Sequence, residues 1–326
     1  LKAIALFSGG LDSTLAMKMV IDQGIDVIGL NVNIGFGSTK DRRQHMENMC
    51  RQVGAEFMEI DIRSQFLRDI LFSPKYGYGK NFNPCIDCHA NMFRVAKSMM
   101  KELGASFLVS GEVVGQRPMS QNMKALKDVV ELAESDNLLL RPLSAKLLPI
   151  TIPEEKGWVD RDKLLGISGR NREKQLQMAK EFGLVDFEPP AGGCLLTEMH
   201  FAKKLRDFIK YETLEADDID VLKFGRHFRL QDGAKLVIGR NQEDNLGLKG
   251  VKSRKFHSLE AIGIQSPFSL ISKNASENDF NFALRAILTY TKAEKDREYK
   301  IIFNGGEEEF FAKPFENREV VRKWSL

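Results

Sequence analysis

Three groups of residues in this chain carry types and spacings suited to chemistry. The first is Ser8-Gly9-Gly10-Leu11-Asp12-Ser13, which follows the apolar run Ala3–Phe7 and opens a helical pattern. Two glycines let the backbone turn sharply and approach an anion closely. Successive backbone N–H groups form an anion-binding nest, and the helix that follows points its positive end at the same space. The hydroxyls of Ser8 and Ser13 add donors. Asp12 repels phosphates unless it holds a magnesium ion that bridges them; its alternative is a helix cap. No Gly-x-x-x-x-Gly-Lys-Ser/Thr loop and no complete dinucleotide fingerprint occurs.

The second group is Pro84-Cys85-Ile86-Asp87-Cys88-His89 together with Cys194 in a Pro-Ala-Gly-Gly-Cys stretch. A Cys-x-x-Cys pair ahead of a helix at Ala90 binds a metal or cycles as a redox pair, and a helix N-terminus favours the thiolate that both roles need. Three thiolates suit an iron–sulfur cluster with one iron not ligated by protein. With His89 or His200 as a fourth ligand they suit zinc. The remaining cysteine, Cys50, falls on a helical pattern and reads as a core thiol.

The third group is basic. Nine residues, Lys223, Arg226, Arg229, Lys235, Arg240, Lys249, Lys252, Arg254 and Lys255, face only Asp232, Glu243 and Asp244 within 223–255. That balance points to a surface for a polyanion, the alternative being an ordinary solvated basic face.

The elements that must position these groups follow from periodicity. Strand patterns at Ala3–Phe7, Val27–Val32, Glu56–Ile60 and Ser106–Ser110 alternate with helical patterns at Asp12–Gln23, Thr39–Val53, Ala90–Leu103 and Gln121–Ala133. Such alternation means a parallel sheet with helices on both faces, with ligands at the carboxyl ends of its strands. Ser73–Cys88 reads as a long loop whose glycines could hinge a lid carrying Lys80. Beyond Glu212, short strands at Phe228–Leu230, Lys235–Ile238, Phe256–Ala261 and Phe268–Ile271 precede a helix at Glu277–Thr291. A hairpin, Tyr299–Phe303 with Glu308–Ala312, ends this smaller α+β domain. The expected domains are 1–165, a helical linker at 166–211 carrying the third cysteine, and 212–326.

Of the 326 residues, 43% are hydrophobic and 29% charged, and the net charge is +3, which fits a globular chain. No apolar run is long enough to span a membrane, and no signal-peptide pattern opens the sequence, which points to the cytoplasm.

Ser-Gly-Gly-x-Asp-Ser is the signature of the PP-loop family of N-type ATP pyrophosphatases, which this segment resembles. The resemblance implies an adenine nucleotide α-hydrolase-like fold, cleavage of ATP between the α- and β-phosphates, and adenylation of a substrate oxygen. A PP-loop with three cysteines resembles the tRNA-thiolating branch, in which sulfur displaces AMP from a nucleobase carbonyl. Some of those enzymes use a cysteine pair and a persulfide, others a [4Fe–4S] cluster held by three cysteines. The spacing here looks like the cluster type, with Cys85, Cys88 and Cys194 as ligands. Ser110-Gly111-Glu112-Val113-Val114-Gly115-Gln116, with Ser120-Gln121 and Leu140-Arg141-Pro142-Leu143, resembles a block of 4-thiouridine synthetases. Lys235–Asn245 looks similar to the RNA-binding domain of NFACT-type proteins. His227, Phe228 and Phe256 are candidates for stacking on bases, the alternative being core packing, which is favoured for the two phenylalanines.

The resemblance thus implies a tRNA sulfurtransferase that forms AMP and pyrophosphate, with 4-thiouridine favoured. ATP and Mg2+ lie on Ser8, Gly9, Gly10, Asp12 and Ser13, with Ser110, Gly111 and Gln116 beside them. The catalytic residues are Asp12, Cys85, Cys88 and Cys194. The tRNA lies along Arg226, Arg229, Lys235, Arg240, Lys249, Lys252, Arg254 and Lys255. A sulfur donor is implied, and a homodimer is compatible. Two rival readings remain: a PP-loop amide-forming ligase with a zinc site, and a non-catalytic ATP-responsive RNA-binding protein.

Overall fold

In a computed structural model, residues 1–38, 42–187 and 193–326 are described. The chain divides into two compact units, Leu1–Thr197 and Glu198–Leu326. The first unit runs β1 (Lys2–Leu6), α1 (Leu11–Ile21), β2 (Asp26–Asn33), α2 (Arg43–Val53), β3 (Glu56–Asp61), α3 (Arg63–Phe66), α4 (Cys85–Leu103), β4 (Phe107–Ser110), α5 (Met123–Ala133), β5 (Leu139–Leu140), α6 (Ile152–Glu155) and α7 (Glu173–Glu181). Its strands form one parallel sheet in the order β3-β2-β1-β4-β5.

The central strand β1 reads as continuous apolar sequence because helices cover both faces; Ala3, Ile4 and Ala5 are buried. The chain winds outward from β1 to β3, then crosses to β4 on the other side of β1. The reversal leaves a crevice between the carboxyl ends of β1 and β4, the place where open α/β sheets bind ligands. Helix α1 is buried on nearly all sides, from Leu11 through Val20, because it lies between the sheet and neighbouring helices that include α7. Each fully buried Leu or Met there contributes roughly 1.5–3 kcal/mol. Cys50 is the expected core thiol. A Cβ at Gly29 would stand 2.7 Å from its sulfur, and burial pushes its pKa up to about 12.

Two expectations differ from the structure. Residues 166–187 are no separate linker, since Ile167, Met178, Ala179 and Leu184 join the core of the first unit. Helix α4 starts at Cys85, so both cysteines stand in its first turn rather than ahead of it. The start of the expected helix at Thr39 and most of the Pro-Ala-Gly-Gly stretch lie outside the described residues.

The second unit runs α8 (Met199–Tyr211), α9 (Ile219–Lys223), β6 (Arg226–Arg229), β7 (Lys235–Ile238), α10 (Gln242–Lys249), β8 (Phe256–Ala261), β9 (Ser269–Ser272), α11 (Glu277–Thr289), β10 (Tyr299–Phe303), β11 (Glu308–Ala312) and α12 (Glu319–Arg322). Its strands form an antiparallel sheet, β11-β10-β8-β9-β7-β6, with core residues from α11 against it. Among the described residues no helix is long and apolar enough to cross a membrane.

Candidate active site and candidate RNA interface

The glycine loop sits at the β1 end of the crevice. Gly9 takes φ +76, a conformation that favours glycine, and a Cβ there would meet Arg42 and Met46 at 3.0 Å. The carbonyl of Gly10 accepts from the hydroxyls of Ser13 (2.9 Å) and Thr14 (3.0 Å), and the Ser8 and Ser13 hydroxyls lie 3.3 Å apart. Serine hydroxyls therefore set the shape of the turn, with Ser8 itself exposed.

The block after β4 closes the other side. A Cβ at Gly111 would stand 2.5 Å from the backbone nitrogen of Ser13, so only glycine lets these segments meet. Gln116 donates from Nε2 to Asp12 Oδ2 at 2.8 Å. Arg172 Nη2 lies 3.6 Å from Asp12 Oδ1. Asp12 Oδ1, Gln116 Oε1 and Arg172 Nε are nevertheless buried without a hydrogen-bond partner. An unsatisfied buried polar atom costs about 1–3 kcal/mol, so a folded chain keeps several together where a ligand satisfies them. A carboxylate oxygen without a partner beside a phosphate cradle fits magnesium, a hard cation that takes oxygen ligands. The N-cap of α1 is Gly10, and Asp12 lies within the first turn.

Behind this crevice lies a buried charge relay that sequence reasoning missed. Glu112 accepts from Arg141 Nε at 2.9 Å and pairs with His89 Nδ1 at 2.9 Å. Burial works to raise the Glu112 pKa, but Arg141 and then His89 outweigh it and hold it near 2. His89 follows Cys88 on α4, so this relay ties the cysteine helix to the loop beside Asp12. Its signal was present in the Ser-Gly-Glu and Leu-Arg-Pro-Leu segments, but pairing across 29 residues is invisible to periodicity. Cys194 reaches the same edge of the sheet by another route. The N–H of Leu195 donates to the carbonyl of Phe36, just past β2, at 2.9 Å.

The three cysteines thus belong to one neighbourhood. Cys88 is buried, and its thiol titrates well above the ordinary range, first through burial and then through Cys194 and Cys85. Cys85 is also pushed up by burial, against Arg117 and a hydrogen bond with Asn83. The helix N-terminus was expected to favour thiolates; desolvation wins instead. Among the described residues no three His, Cys, Asp or Glu side chains are gathered closely enough to hold a metal. Thiols are nonetheless the donor type a soft metal takes, and Cys88 is influenced by both Cys194 and Cys85. Ser73–Cys88 is pinned rather than open. Asp87 accepts from the N–H groups of Lys75 (2.7 Å) and Tyr76 (3.0 Å), and Tyr78 donates to the Leu71 carbonyl. Lys80 is exposed.

In the second unit the basic residues separate into two kinds. Lys235 is 1% exposed and bonds Asp207 at 2.6 Å, while Arg229 holds the same carboxylate with two nitrogens. Neither can face a phosphate, which corrects the expectation for both. Arg240 pairs with Asp244, Lys249 with Glu260 and Lys255 with Asp218, and Arg226 lies over the Tyr290 ring. Lys252 and Arg254 are exposed. His227 is buried with Nε2 on the Phe224 carbonyl, and Phe228 and Phe256 are core, so these rings do not offer a stacking face.

Comparison with known proteins agrees with this division. Residues 1–146 match the family model described as thiamine biosynthesis protein (ThiI), and residues 225–325 match the NFACT protein RNA binding domain. A tRNA-specific 2-thiouridylase MnmA of Francisella tularensis subsp. novicida is 25% identical over 266 residues, 78% of this chain and 69% of that protein. The corresponding protein of Francisella philomiragia subsp. philomiragia is 24% identical over the same length. A 4-thiouridine synthetase solved with RNA and bound ATP aligns with TM-score 0.41 and 20% identity over 68% of this chain; the match spans about half of that longer chain, 52%. The first unit thus resembles the PP-loop thiouridine synthetases, and the second resembles an NFACT-type RNA binding domain.

Proposed function

We propose that this protein is an ATP-dependent tRNA sulfurtransferase that adenylates a uridine carbonyl oxygen and replaces it with sulfur. The observation that carries this reading is the His89–Glu112–Arg141 relay, because it joins the cysteine helix to the 110–116 segment, whose Gly111 packs on Asp12 and Ser13 of the glycine loop. An enzyme that both activates and substitutes the same carbon needs those two functions side by side.

In this reading the backbone of Gly9 and Gly10, with Ser8 and Ser13, binds the phosphates of ATP. Asp12 holds Mg2+, and Ser110, Gly111 and Gln116 form the facing wall. The uridine oxygen attacks the α-phosphorus, pyrophosphate leaves, and the carbonyl oxygen becomes part of a good leaving group, AMP. Cys85, Cys88 and Cys194 hold the sulfur-donating group. A [4Fe–4S] cluster held by these three cysteines would supply a metal site for exogenous sulfide. Burial shields the Cys88 sulfur from water, while Cys85 and Cys194 are partly exposed. The second unit binds tRNA through its phosphates, and the target uridine is presented unstacked, since a stacked carbonyl is out of reach. The resemblance of Ser110–Gln116 to a block of 4-thiouridine synthetases favours 4-thiouridine as the product.

A cysteine-pair route with a persulfide is the second reading. It is supported by the lack of a gathered metal-ligand set among the described residues. One experiment tests both. Protein prepared without oxygen is assayed for iron, acid-labile sulfide, and thiolated nucleosides in tRNA by mass analysis. Brown protein with about four irons per chain that thiolates only with ATP is expected. Metal-free protein thiolating at full rate leaves the cysteine pair, and no thiolated nucleoside under either condition overturns the function.

A further inference from the structure

The stretch 166–175 was read as linker, yet it ends against the aspartate of the glycine loop. Three ties hold it there. Val114 and Ser168 form a β-bridge, the N–H of Gly169 donates to the Val114 carbonyl at 2.8 Å, and Ser144 Oγ accepts from the Val114 N–H while donating to the Ile167 carbonyl. This backbone frame fixes the start of α7 and therefore Arg172. The guanidinium is 16% exposed and faces Asp12 across 3.6 Å, too far for a hydrogen bond, and its Nε has no acceptor. Gln175 lies one turn further along the helix, on the same face. It is 0% exposed, and neither end of its amide has a partner.

We propose that Arg172 is a ligand of the β- and γ-phosphates of the nucleotide, and that the Gln175 amide, unpartnered here, takes up Arg172 and positions it once the nucleotide is bound. An arginine fork matches phosphate oxygens in a way few other side chains do. A polyphosphate held by the loop would take the guanidinium, and its metal would take Asp12 Oδ1. The orphaned atoms of Asp12 and Arg172 then find partners in one event. Arg172 thereby stabilises the pyrophosphate that leaves when the α-phosphorus is attacked, so it discriminates a triphosphate from AMP. This inference rests on the glycine loop being a nucleotide site.

The test is calorimetric titration of the full chain with the non-hydrolysable α,β-methylene ATP plus Mg2+, with pyrophosphate, and with AMP. Arg172→Ala is expected to weaken the analogue and pyrophosphate at least tenfold while AMP changes less than twofold. Arg172→Lys should recover part of the loss, because a point charge replaces the fork. Gln175→Leu should raise the melting temperature by a few degrees, since it removes an unsatisfied buried amide, and still weaken the analogue about threefold. Equal weakening of AMP and analogue, or no weakening in Arg172→Ala, overturns the role of Arg172. A Gln175→Leu protein with unchanged affinity overturns the positioning role. Wild-type protein that binds no analogue overturns the nucleotide reading itself, whereas binding that ignores Arg172 overturns only this inference.

Discussion

The crevice between β1 and β4 and the β6–β7 edge of the second unit both concentrate buried charge, and they treat it in opposite ways. Around Asp12 the chain leaves a carboxylate oxygen, two side-chain amides and a guanidinium nitrogen incompletely bonded. Around Asp207 one carboxylate collects Arg229 and Lys235 in a network closed on itself. Incomplete bonding is costly and persists where a ligand completes it. A closed network has nothing left to offer a ligand and specifies packing instead. Basic composition alone therefore misleads, because a cation's value to RNA depends on whether the fold has already paired it.

The comparison breaks most easily at Asp207. Removing it in Asp207→Ala leaves Lys235 and Arg229 buried with no counter-charge, and should cost the second unit about 3–5 kcal/mol. Denaturant unfolding followed on that unit should show the loss, while nucleotide titration of the first unit stays as in wild type. Lys235 also makes a pH signature. Burial, more than Asp207 can offset, lowers its pKa from 10.5 to about 8. The folded state then binds fewer protons than the unfolded one between those values, so stability rises with pH from about 8 to 10.5. Lys235→Met should flatten that rise.

Glu112 tests the closed network that serves the open site. Its folded pKa is near 2 against 4.5 for an ordinary glutamate. Its contribution is complete above about pH 4.5 and is lost as pH falls toward 2, and a shift of this size corresponds to about 3 kcal/mol. Glu112→Gln should therefore lower stability at pH 7 by about that amount and remove most of the acid dependence, as measured by denaturant midpoints across pH. Thiolation should fall as well, because Arg141 and His89 lose the anion that fixes the cysteine helix against the loop.

How far the sequence spoke for itself follows the same division. The parallel sheet was legible because β1, β2 and β4 are apolar runs between helical patterns. The glycine turn at the end of β1 was legible because its residues are contiguous. Arg172 was not legible, since 160 residues separate it from Asp12. The basic surface failed for a related reason. Counting acids only within 223–255 missed Asp207 and Asp218, which lie upstream, and Glu260, which lies downstream; these are the partners of Arg229, Lys235, Lys255 and Lys249. Cys85 and Cys88 were identified, but whether the helix dipole or burial governs their protonation depends on depth, which spacing does not encode.

Asp12→Asn sharpens the open side. It preserves shape and the bond from Gln116, so unfolding should move by less than about 0.5 kcal/mol, as for a change outside any closed network. Pyrophosphate release in the presence of tRNA should drop by about a hundredfold, because the metal loses a charged ligand. Full turnover in Asp12→Asn would return this residue to a local structural role.

The smallest effect concerns the cations that the second unit leaves unburied. Lys252 and Arg254 are exposed, whereas Lys235 is sealed against Asp207. Each phosphate contact releases counterions, and its loss reduces the slope of log affinity against log salt by roughly 0.7–0.9. Lys252→Glu with Arg254→Glu should therefore weaken tRNA binding several-fold at moderate salt and flatten the slope by roughly 1.4–1.8, without a change in unfolding. Lys235→Met should leave the slope alone, because a sealed cation releases no counterion when RNA binds. Fluorescence titrations of tRNA at several salt concentrations measure both variants together. If Lys235→Met flattens the slope while the exposed pair does not, pairing within the fold is the wrong criterion, and the surface that meets RNA runs along β6 and β7 after all.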